Sequence, residues 1–320
     1  MDCLPTVITC YHFGPGEPDA YDRLLRCLRS SLRQIGERGR VILVANGVRD
    51  GAADPDRVIK DLDPSHPDRI TPVALSANAC NVGGLNAGVS MALRFPLAEN
   101  EWVGSVQSSV VLKREWLDSA FRAVADNEEI NAVFGRLLIE EAQDTIWADG
   151  HRLCKARTTN INYNKSTTSS DLETPGSYGF PCLSAAFFHK GLVQKIVARY
   201  GEFVCENLPH YGDCSDVALR ARAVAKPHFA FCAKSVATKR LPVRDRGKEL
   251  CSQLVAAHRH YDLYDDVEKR ISKELNARQY FVDAVRHAKE LLKRQYSRLE
   301  AKEPKASWGG AENWIDQQAS

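Results

Sequence analysis

The 320-residue sequence lacks most of the features that would place it quickly. No two of its ten cysteines are spaced as Cys-x-x-Cys, and a structural zinc ribbon needs paired ligands at such short spacing. A secreted disulfide scaffold is a shorter, loop-rich chain, whereas several cysteines here sit inside apolar runs such as Val7–Cys10 and Phe229–Cys232. Mostly buried, reduced thiols of a cytoplasmic protein are therefore expected. The opening residues, Met1-Asp2-Cys3-Leu4-Pro5, carry neither the basic nor the apolar segment of a secretory leader. No run approaches the roughly 20 apolar residues of a membrane span. The net charge is only +2 and the basic residues are spread along the chain, which speaks against nucleic acid as a partner. A Walker A loop is absent. Gly14-Pro15-Gly16 has Asp19 where the dinucleotide fingerprint needs its third glycine.

What is present is an alternation of two periods. Short apolar runs at Thr6–Tyr11, Arg40–Ala45, Ile70–Leu75 and Trp102–Val106 read as buried strands. Between them lie helical stripes, the clearest formed by Leu24, Leu25, Leu28, Leu32 and Ile35. Strand–helix–strand repetition implies an α/β fold, a mainly parallel sheet with helices on both faces. Such sheets bind ligands beyond the carboxyl ends of their strands, here the loops after Tyr11, Ala45, Leu75 and Val106. Further strands are expected at Asn131–Glu140, Asp144–Ala148, Pro181–His189 and His228–Lys234, and helices near Gly191–Tyr200 and Asp213–Ala225. The polar stretch Arg157–Asp171 reads as a mobile loop. From about Arg244 the chain turns helical and strongly charged, which divides it into a domain over 1–243, a helical region over 244–301 and a loose tail over 302–320.

Two segments carry the functional signal. In the first, a strand ends at Asn46 and a turn with Asp50 and Gly51 follows. A strand-end amide can hydrogen-bond a base edge, while the plainer reading is an Asn-Gly turn. In the second, Gly83, Gly84 and Gly88 permit close approach of backbone to backbone or ligand. Asn78, Asn81 and Asn86 supply polar groups alongside. Here the plainer reading is a helix packed tightly on the sheet.

In this order and spacing the segments resemble the family 2 glycosyltransferases. Their "SL..Q" helix end is matched by Ser31-Leu32-Arg33-Gln34, and their "VVDNGSxDG" by Val44-Ala45-Asn46-Gly47-Val48-Arg49-Asp50-Gly51. "NxGxxxGxNxG" is matched at Asn78, Gly84, Asn86 and Gly88, with Cys80 where a glycine is usual. "WL" is matched by Trp116-Leu117, and "EDxDLxxR" by Asp213-Cys214-Ser215-Asp216-Val217-Ala218-Leu219-Arg220. The resemblance covers roughly residues 5–235. It implies the GT-A fold, a single Rossmann-like domain, and an inverting transfer of sugar from a UDP- or dTDP-type donor to a small molecule, glycan or lipid. It also implies that Thr9 and Tyr11 lie near the nucleotide, that Asn46 and Asp50 meet the base, and that Asn78, Gly84 and Asn86 line the ribose and diphosphate.

The departures are equally specific. The family's metal-binding Asp-x-Asp is replaced by Gln107-Ser108-Ser109, and hard divalent ions such as Mn²⁺ or Mg²⁺ prefer carboxylate oxygen. No metal or other cofactor is therefore expected, and Gln107 and Ser109 are left to hydrogen-bond the donor. The family's catalytic base falls on Cys214, flanked by Asp213 and Asp216, either of which is a candidate base. Asp213 has the competing role of a helix cap, and His210 is a further candidate. For the leaving diphosphate, Lys239 and Arg240, with Arg244 and Arg246, are candidates for a basic lid, against the plainer reading of a solvated loop. The loss of both motif positions is also what a catalytically inactive scaffold that binds nucleotide, sugar or protein would show. The charged C-terminal stretch, with Arg286, Lys289, Lys293, Arg294 and Arg298, suits a partner subunit in a homodimer, or an anionic membrane surface at which the protein sits peripherally.

Overall fold

The computed structural model describes residues 4–13, 18–37, 39–51, 53–62, 67–95, 101–125, 127–154, 157–176, 179–206, 208 and 212–240. The boundary at 243/244, the helical region, the tail, His210, Arg244 and Arg246 lie outside them.

The first half follows the alternation of the sequence. It runs β1 (Leu4–Tyr11), α1 (Ala20–Gln34), β2 (Arg40–Asn46), α2 (Pro55–Leu62), β3 (Ile70–Leu75), α3 (Cys80–Ala92) and β4 (Glu101–Val106). β5 (Val110–Leu112), α4 (Trp116–Ala125), β6 (Ile130–Ile139), β7 (Ala142–Ala148), β8 (His151–Cys154) and β9 (Arg157–Asn160) follow. The described chain closes with β10 (Ala185–His189), α5 (Lys190–Tyr200), α6 (Asp213–Val224) and β11 (His228–Lys239).

Nine strands form one sheet in the order β3-β2-β1-β4-β10-β6-β11-β5, with β7 on β6. β3, β2, β1 and β4 are mutually parallel, β10 is antiparallel to both β4 and β6, and β11 is parallel to β6. Insertion of antiparallel β10 leaves the carboxyl ends of β1 to β4, β6 and β11 on one edge. Strand residues alternate between two cores, as a sheet covered on both faces requires. Val7, Val41 and Leu43 pack with Leu24, Leu28 and Trp116 of α1 and α4, while Ile8, Ile42 and Val44 pack with Leu85, Val89, Leu192 and Ile196 of α3 and α5.

β10 begins only at Ala185, with residues 181–184 left outside the strand expected over Pro181–His189, and two further elements differ more from expectation. Arg157–Asp171 is not a free loop: β9 pairs with β8, and Asn162 donates to Asp149 Oδ2 at 2.9 Å and to the Glu173 carbonyl at 2.7 Å. Asp149 itself is fully buried under a two-bond grip by Arg136, both contacts at 2.8 Å, so buried hydrogen bonding does here what apolar periodicity would do elsewhere. β11 also runs five residues beyond the expected end at Lys234. Its register against β6 shifts between Cys232 and Val236, and this bulge hides the continuation from a period-2 pattern. Gly135 makes room for it, since a Cβ there would lie 1.9 Å from the Ser235 carbonyl oxygen.

Candidate functional site

At the carboxyl edge, the loop after β2 meets the start of α3. Asn46 is buried; its Nδ2 donates to Asn78 Oδ1 at 3.1 Å and to the Cys80 carbonyl at 2.7 Å, and its Oδ1 accepts from Ala79 N–H at 2.8 Å. Asn78 Oδ1 also accepts from Cys80 N–H at 2.9 Å. Asp50 closes a 3₁₀ turn over Val48–Asp50. Cys80, where the resembling family carries glycine, has φ 59, in the left-handed region that glycine occupies without strain. Gly84 brings α3 onto β1: a Cβ there would stand 2.1 Å from Cys10 Sγ.

The remaining donor-side candidates are spread over the same half. Thr9 is buried within β1, and Tyr11 is buried with its hydroxyl donating to the Ala53 carbonyl at 2.6 Å. Burial pushes the Tyr11 phenol above its ordinary range, with Asp54 adding to the rise. Asn86 faces away from these loops' hydrogen-bond network. Its Oδ1 accepts from Phe203 and Val204 N–H at 3.1 and 3.0 Å, and its Nδ2 donates to the Val204 carbonyl at 2.7 Å.

A second group gathers where β4 and β11 end and β10 begins. Gln107 follows β4, and β5 folds back to pair with the last residues of β11, Lys239 lying opposite Val110. That pairing delivers the Lys239 ammonium to Gln107 Oε1 at 2.9 Å and to Ser184 Oγ at 2.6 Å, with Ser184 Oγ donating to Gln107 Oε1 at 2.9 Å. Lys239 is buried and approaches the Trp147 ring at 5.9 Å. Among the described residues it forms no ion pair; neutral oxygens hold it. An ammonium taken from water without a counter-charge is costly. Arg240, by contrast, is exposed. It pairs with Asp19 and reaches Glu141 at 3.8 Å, while its N–H donates to the Ser109 carbonyl at 3.2 Å.

The start of α6 supplies the third part. Its N-cap is Gly212 at φ 85, with no side-chain cap bond, so Asp213 lies inside the first turn and is not the cap. Half-buried Asp213 is raised above its ordinary carboxyl range, first by burial and then by the charge of Cys182; His151 and Lys239 act the other way. Cys182 and Cys214 are coupled: Cys182 is held well below the thiol range, chiefly by the hydrogen bond from Cys214, and Cys214 is pushed well above it. Asp216 is fully buried. Its Oδ2 takes Arg220 Nε at 2.8 Å and Cys205 N–H at 2.8 Å, and Arg220 also binds Glu202 Oε1 at 2.7 Å. That places Asp216 in a buried ion network, where loss of one partner strands the other's charge.

The structure thus joins Gln107 to Lys239 and Asn46 to Asn78, and it brings Asp213 within electrostatic reach of Lys239. It sets Asn86 and Asp216 on the loop 202–206 instead. Ser184, His151 and Cys182 were not singled out by the sequence. Ser184 and Cys182 are embedded in a run that signals only a strand, and His151, Cys182 and Cys214 are separated by about thirty residues each, beyond any short ligand motif.

No protein-family model and no curated protein matches the sequence. Among solved structures the chain is similar to GalNAc-T7, in a crystal structure with UDP, GalNAc and Mn²⁺, at TM-score 0.59 and 9% identity. That match covers 95% of this chain and 59% of the other, so the chain spans less than two thirds of that protein's length. It is also similar to the mannosyltransferase PcManGT from Pyrobaculum calidifontis, in complex with GDP-Man and Mn²⁺, at TM-score 0.50 and 16% identity, with 98% of this chain and 84% of that one covered. The fold is GT-A. At such low identity the likeness carries the fold and leaves function to the site.

The Mn²⁺ of those two structures prompts a test of this chain's residues. Gln107, Ser108 and Ser109 offer neutral oxygens, and Gln107 Oε1 is already taken by an ammonium. A hard divalent cation wants carboxylate oxygens and would be repelled by Lys239. The residues at the end of β4 do not fit it.

Proposed function

We propose that the chain is an inverting glycosyltransferase that moves a sugar from a nucleoside diphosphate donor to an acceptor without an Asp-x-Asp metal. The observation that carries this reading is the buried ammonium of Lys239, hydrogen-bonded to Gln107 and Ser184 with no ion pair among the described residues. A preorganised cation at a strand-end edge offers the leaving diphosphate what a metal would otherwise supply. Asn46 and Asn78 shape the loop on which the base sits, and Gln107 and Ser109 border the donor. Inversion rests on the likeness of Asp213–Arg220 to the family 2 motif. Asp213, in the first turn of α6, is the residue we assign as base toward the acceptor; Asp216 holds Arg220. Arg240 closes over the site from the surface.

The test is calorimetric titration of the full chain with UDP, dTDP and GDP and their sugars in metal-depleted buffer, with and without added Mn²⁺. Expected is one donor that binds equally well in both, followed by transfer that inverts the anomeric centre by NMR. Binding that requires Mn²⁺ overturns the metal-free reading, and silence with every donor overturns the nucleotide reading. A second reading, an inactive scaffold of the same fold, is favoured by Cys214, which stands in the base position with its sulfur accepting from Leu183 N–H at 3.3 Å. Donor binding with neither hydrolysis nor transfer would select it.

A further inference from the structure

Beside the Lys239 network, three ligand-type side chains converge from separate elements: His151 at the start of β8, Cys182 in the turn before β10 and Cys214 in the first turn of α6. One donor atom from each lies within 4.8 Å of the other two. His151 and Cys182 are buried and Cys214 is half-buried. The Nδ1 atom of His151 is buried and has no hydrogen-bond partner among the described residues, and a buried polar atom left so calls for an occupant. We propose that His151, Cys182 and Cys214 bind a soft divalent metal ion, zinc, leaving its fourth coordination position to solvent or a bound molecule.

The donor set decides the metal. Two sulfurs and an imidazole suit zinc and are poor ligands for Mg²⁺ or Mn²⁺. Bonds of about 2.0–2.3 Å give ligand–ligand edges of roughly 3.5–3.8 Å in a tetrahedral site, so small side-chain shifts close the present spacing. The step balances simply: the ion takes both sulfurs as thiolates and the imidazole as the neutral ring, and each proton that the cysteines carry leaves to solvent. Bound there, zinc ties β8, the β10 turn and α6 together one contact from the diphosphate site, since Cys182 Sγ stands 3.4 Å from Ser184 Oγ. A thiol pair packed for apolar reasons alone leaves His151 Nδ1 unanswered.

The experiment loads the full chain with zinc, dialyses it against a weak chelator and counts metal by mass spectrometry. One zinc per chain is expected, falling at least tenfold in Cys182→Ser and His151→Gln and unchanged in the exposed control Cys80→Ser. Should those variants fail to fold, the Co²⁺-loaded wild-type chain decides: tetrahedral d–d bands with thiolate-to-cobalt charge transfer support the site. Zinc below a tenth of an equivalent overturns it, as do zinc retained by both variants, a cobalt spectrum without thiolate, or an intact mass showing a Cys182–Cys214 disulfide. None of these readouts involves sugar transfer, so the outcome is independent of the proposed activity.

Discussion

The two ends of the carboxyl edge are built on opposite plans. On the β1–β3 side, polar motif residues are spent on the protein itself: Asn46 uses its amide on Asn78, Ala79 and Cys80, and Asn86 uses its own on residues 203 and 204. On the β4–β10–β11 side, polar groups are gathered without being neutralised. Among the described residues Lys239 is hydrogen-bonded only to neutral oxygens, with Asp213 acting on it at longer range, and His151 Nδ1 has no hydrogen-bond partner. Satisfied networks rigidify, whereas unneutralised buried groups mark places where a ligand completes the chemistry. The side that best matches a known motif is therefore internally satisfied, and the side that departs from it carries the groups on which the proposed function rests.

Lys239→Met tests that contrast hardest. Donor affinity is expected to fall about 100- to 1000-fold, roughly 3–4 kcal/mol, while stability holds or rises because a buried ammonium with no direct ion pair among the described residues is removed. Calorimetry and a denaturant melt on the same variant read both numbers, and a loss of stability without loss of affinity reverses the assignment. Asn86→Ala should do the opposite. Three backbone groups lose a buried partner, so unfolding becomes easier by about 2–3 kcal/mol with donor affinity unchanged in the folded fraction. A variant that melts normally but binds poorly would move Asn86 back to the donor.

The contrast also explains what the sequence made legible. The parallel half could be read because its strands are continuous apolar runs and its helices carry clean stripes, as Leu24, Leu28 and Ile35 show. Asn46, Asn78 and Gly84 stood out in the sequence because they match a short family motif, and the structure joins Asn46 to Asn78 and seats Gly84 against Cys10. The end of β11 was not, since the bulge before Val236 breaks alternation and a lysine ending a strand looks solvent-bound. Gln107 was visible only as a departure from Asp-x-Asp. Its partner Ser184 is 77 positions away, and no local pattern links residues that meet only through sheet pairing.

On the scaffold side, Gly84→Ala sharpens the claim that glycine serves helix–sheet packing. The added methyl meets Cys10 Sγ and should cost about 1–3 kcal/mol by overpacking. The double variant with Cys10→Ala should recover most of that loss, a coupling that a thermal or urea double-mutant cycle reads directly. Recovery without any change in donor affinity assigns the glycine to packing. No recovery, with weakened binding, assigns it to the donor.

The smallest expected effect is at Cys80. Its φ of 59 puts a Cβ-bearing residue in left-handed backbone, which costs roughly 1–2 kcal/mol, while glycine at the same place gives back about 0.5–1 kcal/mol in unfolded-chain entropy. Cys80→Gly should therefore raise stability by up to about 1 kcal/mol, and Cys80→Val should lower it, because branching at Cβ makes positive φ worse. The pair of melts separates backbone strain from side-chain contact. If strain governs, the two substitutions move stability in opposite directions. If contact governs, both lower it, and the cysteine here, where the resembling family carries glycine, then holds the loop after β3 through its side chain.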